Sequence, residues 1–149
     1  MKNTPAAWPR ISVAIFYDDA SQAIDWLCRA FGFEVRIKVL GADGAIMHSE
    51  LEFGEGVIMV AQAEKSPHTG RITRSPISLD GANTQNLMVY VDDVDAYCAR
   101  ARAAGATIDD DPSVHDYGEE YWADRSYGAR DLEQHSWWFT QRIRDPKTS

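Results

Sequence analysis

The sequence lacks the features of several protein classes. Its 149 residues include only two cysteines, Cys28 and Cys98, each within a predicted helix, which disfavours a disulfide-bonded secreted domain. No apolar run reaches membrane-spanning length and the N-terminus has no hydrophobic signal stretch, so we expect a cytoplasmic protein without membrane association. Acidic residues outnumber basic ones by 23 to 15, and the net charge of −8 argues against nucleic acid as a partner.

The chain contains an internal repeat. Residues 13–32 and 87–105 each read as a strand, an Asp-Asp helix start, an amphipathic helix and a terminal glycine. Asp19 and Asp93 are the predicted helix caps, and Gly32 and Gly105 the predicted stops. Repeated units in so short a chain usually pair, and the groove between them is the natural place for a ligand.

Three further strands follow each helix, which predicts one α+β domain over 1–149 made of two tandem βαβββ units. The first unit covers about 10–63 and the second about 86–143, joined by a polar linker over 64–85. The predicted strands are 10–17, 34–40, 45–53, 57–63, 86–91, 106–115, 119–130 and 135–143.

Three segments resemble a known family. They are 19–33 (Asp-Ala-x-x-Ala-Ile-Asp-Trp-x-x-x-Ala-Phe-Gly-Phe), 44–56 (Gly-Ala-Ile-Met-His-Ser-Glu-Leu-Glu-Phe-Gly-Glu-Gly) and 127–139 (Tyr-Gly-Ala-Arg-Asp-Leu-Glu-Gln-His-Ser-Trp-Trp-Phe). With the repeat, they are similar to the vicinal-oxygen-chelate superfamily, in particular to its single-domain glyoxalase-like and bleomycin-resistance-like members. The resemblance covers about residues 8–143. It implies an open, curved mixed-sheet barrel with a cavity inside, and a homodimer.

Metal-dependent members of that superfamily place four ligands, chiefly His and Glu, on the first and fourth strands of each unit. The resemblance puts those positions at Ser12, Met59, Asn86 and Trp138. A divalent catalytic metal needs about three charged or imidazole ligands, which these side chains do not supply. We therefore expect no metal cofactor at this position, and no other cofactor is indicated.

The same registration predicts which side chains line the cavity. Because side chains alternate along a strand, residues two apart from the four positions share one face of the sheet. Aromatic rings, thioethers and a few polar groups form this set, which is the composition of a small-molecule pocket. Its members are Ser12, Ala14, Phe16, Val57, Met59, Ala61, Asn86, Met88, Tyr90, Ser136, Trp138 and Thr140.

The segment 121–127 resembles the part of the family that borders the ligand cleft and adds Trp122, Arg125 and Tyr127 as candidates. Trp122 stands where the family has a small glycine. Gln134 also replaces a turn glycine, and a one-residue slip of that hairpin would exchange the two sheet faces. Arg125 has an alternative structural role, an ion pair with Asp124 or Asp131.

Two alternatives compete with these sites. Phe16, Tyr90 and Trp138 could pack on one another as core and leave no cavity. His48 and Glu50, two residues apart on a strand, could contribute to a displaced metal site, although one pair is far short of a full ligand set.

Two functions from different classes remain open. The first is a metal-independent protein that binds a small cationic or aromatic molecule. The second is a lyase, isomerase or dioxygenase-type enzyme with an absent or non-standard metal site. A homodimer is expected from the resemblance and from large aromatic residues near predicted chain or strand ends, among them Trp8, Tyr121 and Trp122.

Overall fold

The computed structural model describes residues 1–148. The described chain forms two four-stranded mixed sheets, each accompanied by one helix. It divides into two compact units, Met1–Asp80 and Gly81–Ser149, called unit 1 and unit 2 below. The prediction of an α+β fold built from two tandem βαβββ units with open sheets is confirmed.

Unit 1 has the strand order β1-β4-β3-β2, with β1 parallel to β4 and the remaining pairs antiparallel. The segment predicted as a linker has local structure, a 3-10 helix at Pro76–Ser78 and a bridge between Lys65 and Ile72. The elements of the unit are β1 (Val13–Tyr17), α1 (Ala20–Phe31), β2 (Glu34–Leu40), β3 (Ile46–Phe53) and β4 (Gly56–Gln62).

Unit 2 repeats this topology with the order β5-β8-β7-β6, and β5 is parallel to β8. No helix within residues 1–148 is long and apolar enough to span a membrane. The elements of the unit are β5 (Leu87–Tyr90), α2 (Val94–Ala103), β6 (Thr107–Asp116), β7 (Ala123–Arg130) and β8 (Ser136–Arg144).

Two strands begin later than predicted. The first partner pair of β1 is Val13 with Ile58, and just before it the Ser12 hydroxyl donates to the Val57 carbonyl at 2.6 Å. β7 begins at Ala123 because Tyr121 N donates to the Gly118 carbonyl and closes a turn over the residues predicted as strand. A side-chain hydrogen bond therefore takes the place of the predicted start of β1, and a turn takes the place of the predicted start of β7.

The two helices start in the same way. Asp19 and Asp93 each accept a hydrogen bond from the backbone N–H three residues later, at 3.0 Å, which confirms both predicted caps. The first helical N–H of α1 donates to Gln62 Oε1 at 3.2 Å, and that of α2 donates to Gln141 Oε1 at 3.1 Å. Both glutamines come from the fourth strand of their unit.

The helices also end at glycines. Gly32 has φ +84° and donates its N–H to the Cys28 carbonyl at 3.2 Å. Gly105 has φ +93° and is followed by a hydrogen bond from Ala106 N to the Ala101 carbonyl at 3.0 Å. Only glycine adopts this conformation without strain, so both predicted stops are confirmed.

The β7–β8 hairpin keeps the predicted register despite the missing glycine. Gln134 adopts φ +70°, a conformation that usually favours glycine. The Asp131 carboxylate holds the turn by accepting from the backbone N–H groups of Glu133 and His135, and it also accepts from the buried Trp137 indole at 3.0 Å. Trp137 and Phe139 are consequently buried, while Trp138 lies on the opposite face.

Candidate functional site

In unit 2, the sheet face opposite α2 carries an exposed group of aromatic side chains. Met88 and Tyr90 of β5 are 59% and 51% exposed, and Trp122, next to β7, is 36% exposed. Trp138 is half-buried in register with Met88. We call Met88, Tyr90, Trp122, Trp138 and the neighbouring Arg142 the aromatic face. The exposure of Tyr90 differs from the core-filling alternative, in which it would be buried.

Arg142 connects the rings of this face. Its guanidinium carbon lies 5.7 Å from the Tyr90 ring centroid and 5.8 Å from that of Trp122, within the range of cation–π contact. It donates to the Tyr90 hydroxyl at 3.0 Å and to Asp124 Oδ1 at 2.6 Å. These hydrogen bonds, that to Asp124 above all, raise the pKa of Arg142, so the guanidinium stays charged.

Trp138 has room on the sheet because Gly128 lies beneath it. A Cβ atom at Gly128 would come within 3.3 Å of the six-membered ring of the indole. Gly128 and Trp138 are partners in the β7–β8 pairing, so the missing side chain opens the space that the indole occupies. Next along the same face, the hydroxyls of Ser126 and Thr140 are buried and 3.0 Å apart.

Other candidates of unit 2 lie apart from these rings. Asn86 is exposed just before β5, and the backbone N–H of Ser136, at the start of β8, donates to the Asn83 side chain at 3.0 Å. Arg125 lies on the helix side and donates two hydrogen bonds to Asp95 of α2, at 2.8 and 2.9 Å. Asp95 replaces the predicted partners Asp124 and Asp131, and this pairing lowers the pKa of Asp95.

Tyr127 also lies on the helix side, a position that differs from the cleft expected for it. Its ring is fully buried and stacks on Phe139 at 5.0 Å between centroids, with the planes 9° apart. Burial raises the pKa of its hydroxyl, which finds no hydrogen-bond partner among residues 1–148. Tyr127 is a packing residue in this arrangement.

In unit 1, Ala14, Phe16, Met59 and Ala61 share the sheet face opposite α1. Ala14 is in register with Met59, and Phe16 with Ala61, and all four side chains are half-buried. Ser12 precedes them with its hydroxyl bonded to the backbone of β4. These residues are less exposed than the aromatic face of unit 2 and carry no charge.

His48 and Glu50 of β3 form a polar network with Arg36 of β2. His48 Nε2 is 2.9 Å from Glu50 Oε1, and Arg36 Nε is 3.2 Å from Glu50 Oε2. A guanidinium against the buried carboxylate competes with any cation there. Within the described residues, no three His, Cys, Asp or Glu side chains are grouped to hold a metal.

The four positions that hold the metal in the family carry weak or engaged donors in this chain. Ser12 uses its hydroxyl on a backbone carbonyl, Asn86 is exposed, and Met59 and Trp138 offer a thioether and an indole. Divalent metals bind carboxylate, imidazole or thiolate groups, and none of these is present. The four residues do not fit the metal centre of the catalytic relatives.

A family model matches most of the chain. The model of the Glyoxalase/Bleomycin resistance protein/Dioxygenase superfamily matches residues 11–146. The chain belongs to this superfamily. It is 31% identical over 137 residues to the uncharacterized protein Mb0911c of Mycobacterium bovis, covering 92% of this chain and 86% of that protein.

Two solved structures extend the comparison. TioX from Micromonospora sp. ML1 is 33% identical with a TM-score of 0.69, covering 91% of this chain and 99% of that one. TnmS3 from Streptomyces sp. CB03234, described as an antibiotic binding protein, is 18% identical with a TM-score of 0.62 and coverages of 88% and 93%. The TnmS3 likeness shows the fold alone.

Sequence reasoning missed Arg142, the residue that connects the aromatic face. The signal was available, since Arg142 continues the alternation of Ser136, Trp138 and Thr140 along β8. Tyr117, whose ring lies 4.9 Å from that of Trp122, had no comparable signal because the β6–β7 loop places it there.

Proposed function

We propose that this protein binds a small aromatic or cationic organic molecule without a metal, and that the aromatic face of unit 2 is the contact surface. The observation that carries the proposal is the exposed array of Tyr90 and Trp122 around the Arg142 guanidinium. Exposed rings held by a fixed cation offer flat surfaces for stacking at a low entropic cost.

The chemistry of this face favours a planar ligand. Tyr90 and Trp122 present ring surfaces, Trp138 adds an indole over Gly128, and Met88 adds a flexible thioether. Asp124 balances the charge of Arg142, so the face does not repel a cation strongly. The net charge of −8 attracts cations at long range.

The proposal is in keeping with a protein that shares this fold. TnmS3, which shares the fold, is described as an antibiotic binding protein. Ser12, Met59, Asn86 and Trp138 lack carboxylate and imidazole donors, which supports binding without a metal. In unit 2, Thr140 is proposed to add to the ligand-binding surface, with Asn86 and Ser136 near the starts of β5 and β8 as further candidate contacts. In unit 1, taken by itself, Ser12, Ala14, Phe16 and Met59 are proposed as ligand contacts.

The test is a titration with proflavine, a planar aromatic cation, followed by calorimetry and by quenching of tryptophan fluorescence. We expect saturable binding that Trp138→Ala and Trp122→Ala each weaken by about 1–3 kcal/mol, the range for buried aromatic anchors. Ile143→Ala is the matched control, because Ile143 is exposed on β8 next to Arg142.

Three outcomes would contradict the proposal. The first is an unchanged affinity in both tryptophan variants, and the second is an equal loss in Ile143→Ala. The third is binding that disappears with EDTA, accompanied by stoichiometric metal in untagged protein, which would favour the enzyme alternative.

A cytoplasmic homodimer is the proposed setting. β2 lies at the edge of its sheet and exposes apolar side chains, with Met47 of β3 exposed nearby. An exposed apolar edge strand is a template for pairing with a second chain. The exposed side chains of β2 are Val35, Ile37, Val39 and Leu40.

Sedimentation at tens of micromolar tests the dimer. We expect the unmodified chain to sediment as a dimer and Ile37→Lys to shift it toward monomer, because a buried unpaired charge disfavours the interface. Val114→Lys, at an exposed valine of β6, is the control. A monomeric unmodified chain would contradict the proposal.

A further inference from the structure

Unit 1 contains a pocket of about 410 Å³ whose lining residues all belong to this unit. Ligand pockets in proteins are commonly about 300–1,000 Å³, so this one suits a small organic molecule. It lies between the N-terminal segment and the β3–β4 hairpin. Its lining includes Trp8, Pro9, Arg36, Glu52, Glu55 and Val57.

Arg36 fastens the N-terminal segment to the sheet and so forms one wall. Its Nη1 donates to the Ala7 carbonyl at 2.5 Å, and its guanidinium carbon lies 5.5 Å from the centroid of the Trp8 indole. On the other side, Arg36 pairs with the buried Glu50 carboxylate at 3.2 Å. The position of Trp8 therefore depends on the ion pair between Arg36 of β2 and Glu50 of β3.

The opposite wall is the β3–β4 hairpin. Glu52 and Val57 are partners in the strand pairing, so their side chains lie side by side on one face. Phe53 pairs with Gly56, which leaves Gly54 and Glu55 as a two-residue loop at the pocket rim. An apolar surface and two carboxylates thus meet at one end of the sheet.

The charges of this pocket are unbalanced. Glu50 neutralises Arg36, the only basic side chain in the lining. Glu52 and Glu55 form no ion pair with any residue in 1–148. Two carboxylates beside an indole, a proline and a valine leave a site that is apolar on one side and anionic on the other.

We propose that this pocket binds a small amphiphilic organic cation, with its ammonium or guanidinium group at Glu52 and Glu55 and its hydrocarbon part against Trp8, Pro9 and Val57. The carboxylates supply charge-assisted hydrogen bonds, and the apolar wall supplies burial. The pocket shares no lining residue with the aromatic face of unit 2, so either site can exist without the other.

Cyclohexylammonium is the probe, and cyclohexanol is its uncharged counterpart. Titration of isotopically labelled protein should shift the Trp8 indole N–H and the Val57 methyl signals. An exposed ion pair contributes up to about a fivefold gain in affinity, and the cation meets two carboxylates, so cyclohexanol should bind about fivefold more weakly. Raising the salt concentration should weaken binding of the cation and leave that of the alcohol unchanged.

Variants separate this site from its surroundings. Glu52→Gln combined with Glu55→Gln keeps the shape of the side chains and should raise the dissociation constant about fivefold. Glu64→Gln, at an exposed glutamate of unit 1 outside the pocket, should leave it unchanged. Tyr90→Ala, in the aromatic face, should also leave it unchanged.

Three results would overturn the proposal. The first is equal binding of cyclohexylammonium and cyclohexanol, and the second is an unchanged dissociation constant in the double glutamine variant with the Trp8 and Val57 signals in their native positions. If cyclohexylammonium shifts only signals of the aromatic face, the pocket is likewise rejected, whereas the function proposed for unit 2 is not.

Discussion

The two units reach the same topology with a different division of bulky side chains between helix and sheet. In unit 1 the helix buries Trp26, Leu27 and Phe31, and the strands add Tyr17 together with aliphatic residues such as Val60. In unit 2 the helix buries only Val94, Cys98 and Ala101. There the sheet supplies the volume through stacked rings of Tyr127, Trp137 and Phe139.

This difference shows what the fold requires of its sequence. A helix–sheet layer needs a filled interface at native packing density, and either side can provide the bulk. The repeat preserves caps, stops and strand order, whereas the identity of the core residues differs between units. Internal symmetry of topology therefore does not require symmetry of packing.

The edge strands β2 and β6 also differ between the units. β2 exposes aliphatic side chains, whereas β6 carries aspartates, a proline and two register irregularities. Asp109 pairs with Arg130, Asp111 with Arg102 and Asp116 with Arg144 across or beside β6. Charge, proline and bulges protect an edge from pairing with another chain, so of these two strands β2 is the one that suits association.

Truncation of buried sheet residues tests the packing comparison with the largest expected effect. We expect Trp137→Ala to lower the free energy of unfolding by about 3–5 kcal/mol, because it removes a fully buried indole and one of the donors to the Asp131 carboxylate. Val60→Ala, the truncation on the sheet side of unit 1, should cost about half as much. Urea denaturation measures both losses of stability. Equal losses would contradict the difference in how sheet residues fill the helix–sheet interface of the two units.

Truncation of the helices should give the reverse order. Ile24→Ala in α1 should cost about 2–4 kcal/mol, because a fully buried aliphatic side chain leaves a cavity. Cys98 is the fifth residue of α2, as Ile24 is of α1, and Cys98→Ala should cost about 1 kcal/mol because the thiol is small. A larger loss from Cys98→Ala than from Ile24→Ala would contradict the comparison.

Loss of a helix cap should affect both units by similar amounts. Asp19→Ala and Asp93→Ala each remove one side-chain acceptor from an N–H group and should cost about 1 kcal/mol. Asn at either position retains the acceptor and serves as the control. Thermal unfolding followed by circular dichroism provides the measurement, and a cost confined to one unit would show that the caps are not equivalent.

The smallest effect concerns the charged edge of unit 2. Arg144 and the Gly118 N–H lower the pKa of Asp116 from 3.8 to about 2. A lowered pKa in the folded state stabilises the protein above pH 3.8, and this contribution is lost as the pH falls through about 2. A carboxyl titration by NMR should show the low midpoint, and Arg144→Gln should raise it. An ordinary midpoint in the unmodified protein would contradict the ion pair.

The sequence predicted those parts of the fold that depend on local signals. Asp19, Asp93, Gly32 and Gly105 mark helix ends through backbone geometry, and each did so in the structure. The face assignment of Trp138 followed from strand alternation once the hairpin register was right. The homodimer, its cytoplasmic location and the ligand remain predictions.

Contacts between distant segments were harder to predict. Arg125 pairs with Asp95, 30 residues away, because β7 passes beside the start of α2, and neither position carries a pattern that announces the pair. Tyr127 was expected near a ligand, yet its place in the strand alternation puts it with Phe139 under the helix. The wall that Trp8 forms depends on Arg36 of β2, so no single segment reveals the pocket.

The paired caps at the helix starts also restrict what kind of ligand the protein can recognise. Free N–H groups at a helix N-terminus commonly hold phosphate or carboxylate groups. Here Asp19 and Gln62 occupy two such donors in α1, and Asp93 and Gln141 occupy the same two in α2. Because these donors are engaged and an aspartate lies at each helix start, neither helix N-terminus is suited to bind an anion. Recognition is left to the side chains of the sheets and their loops.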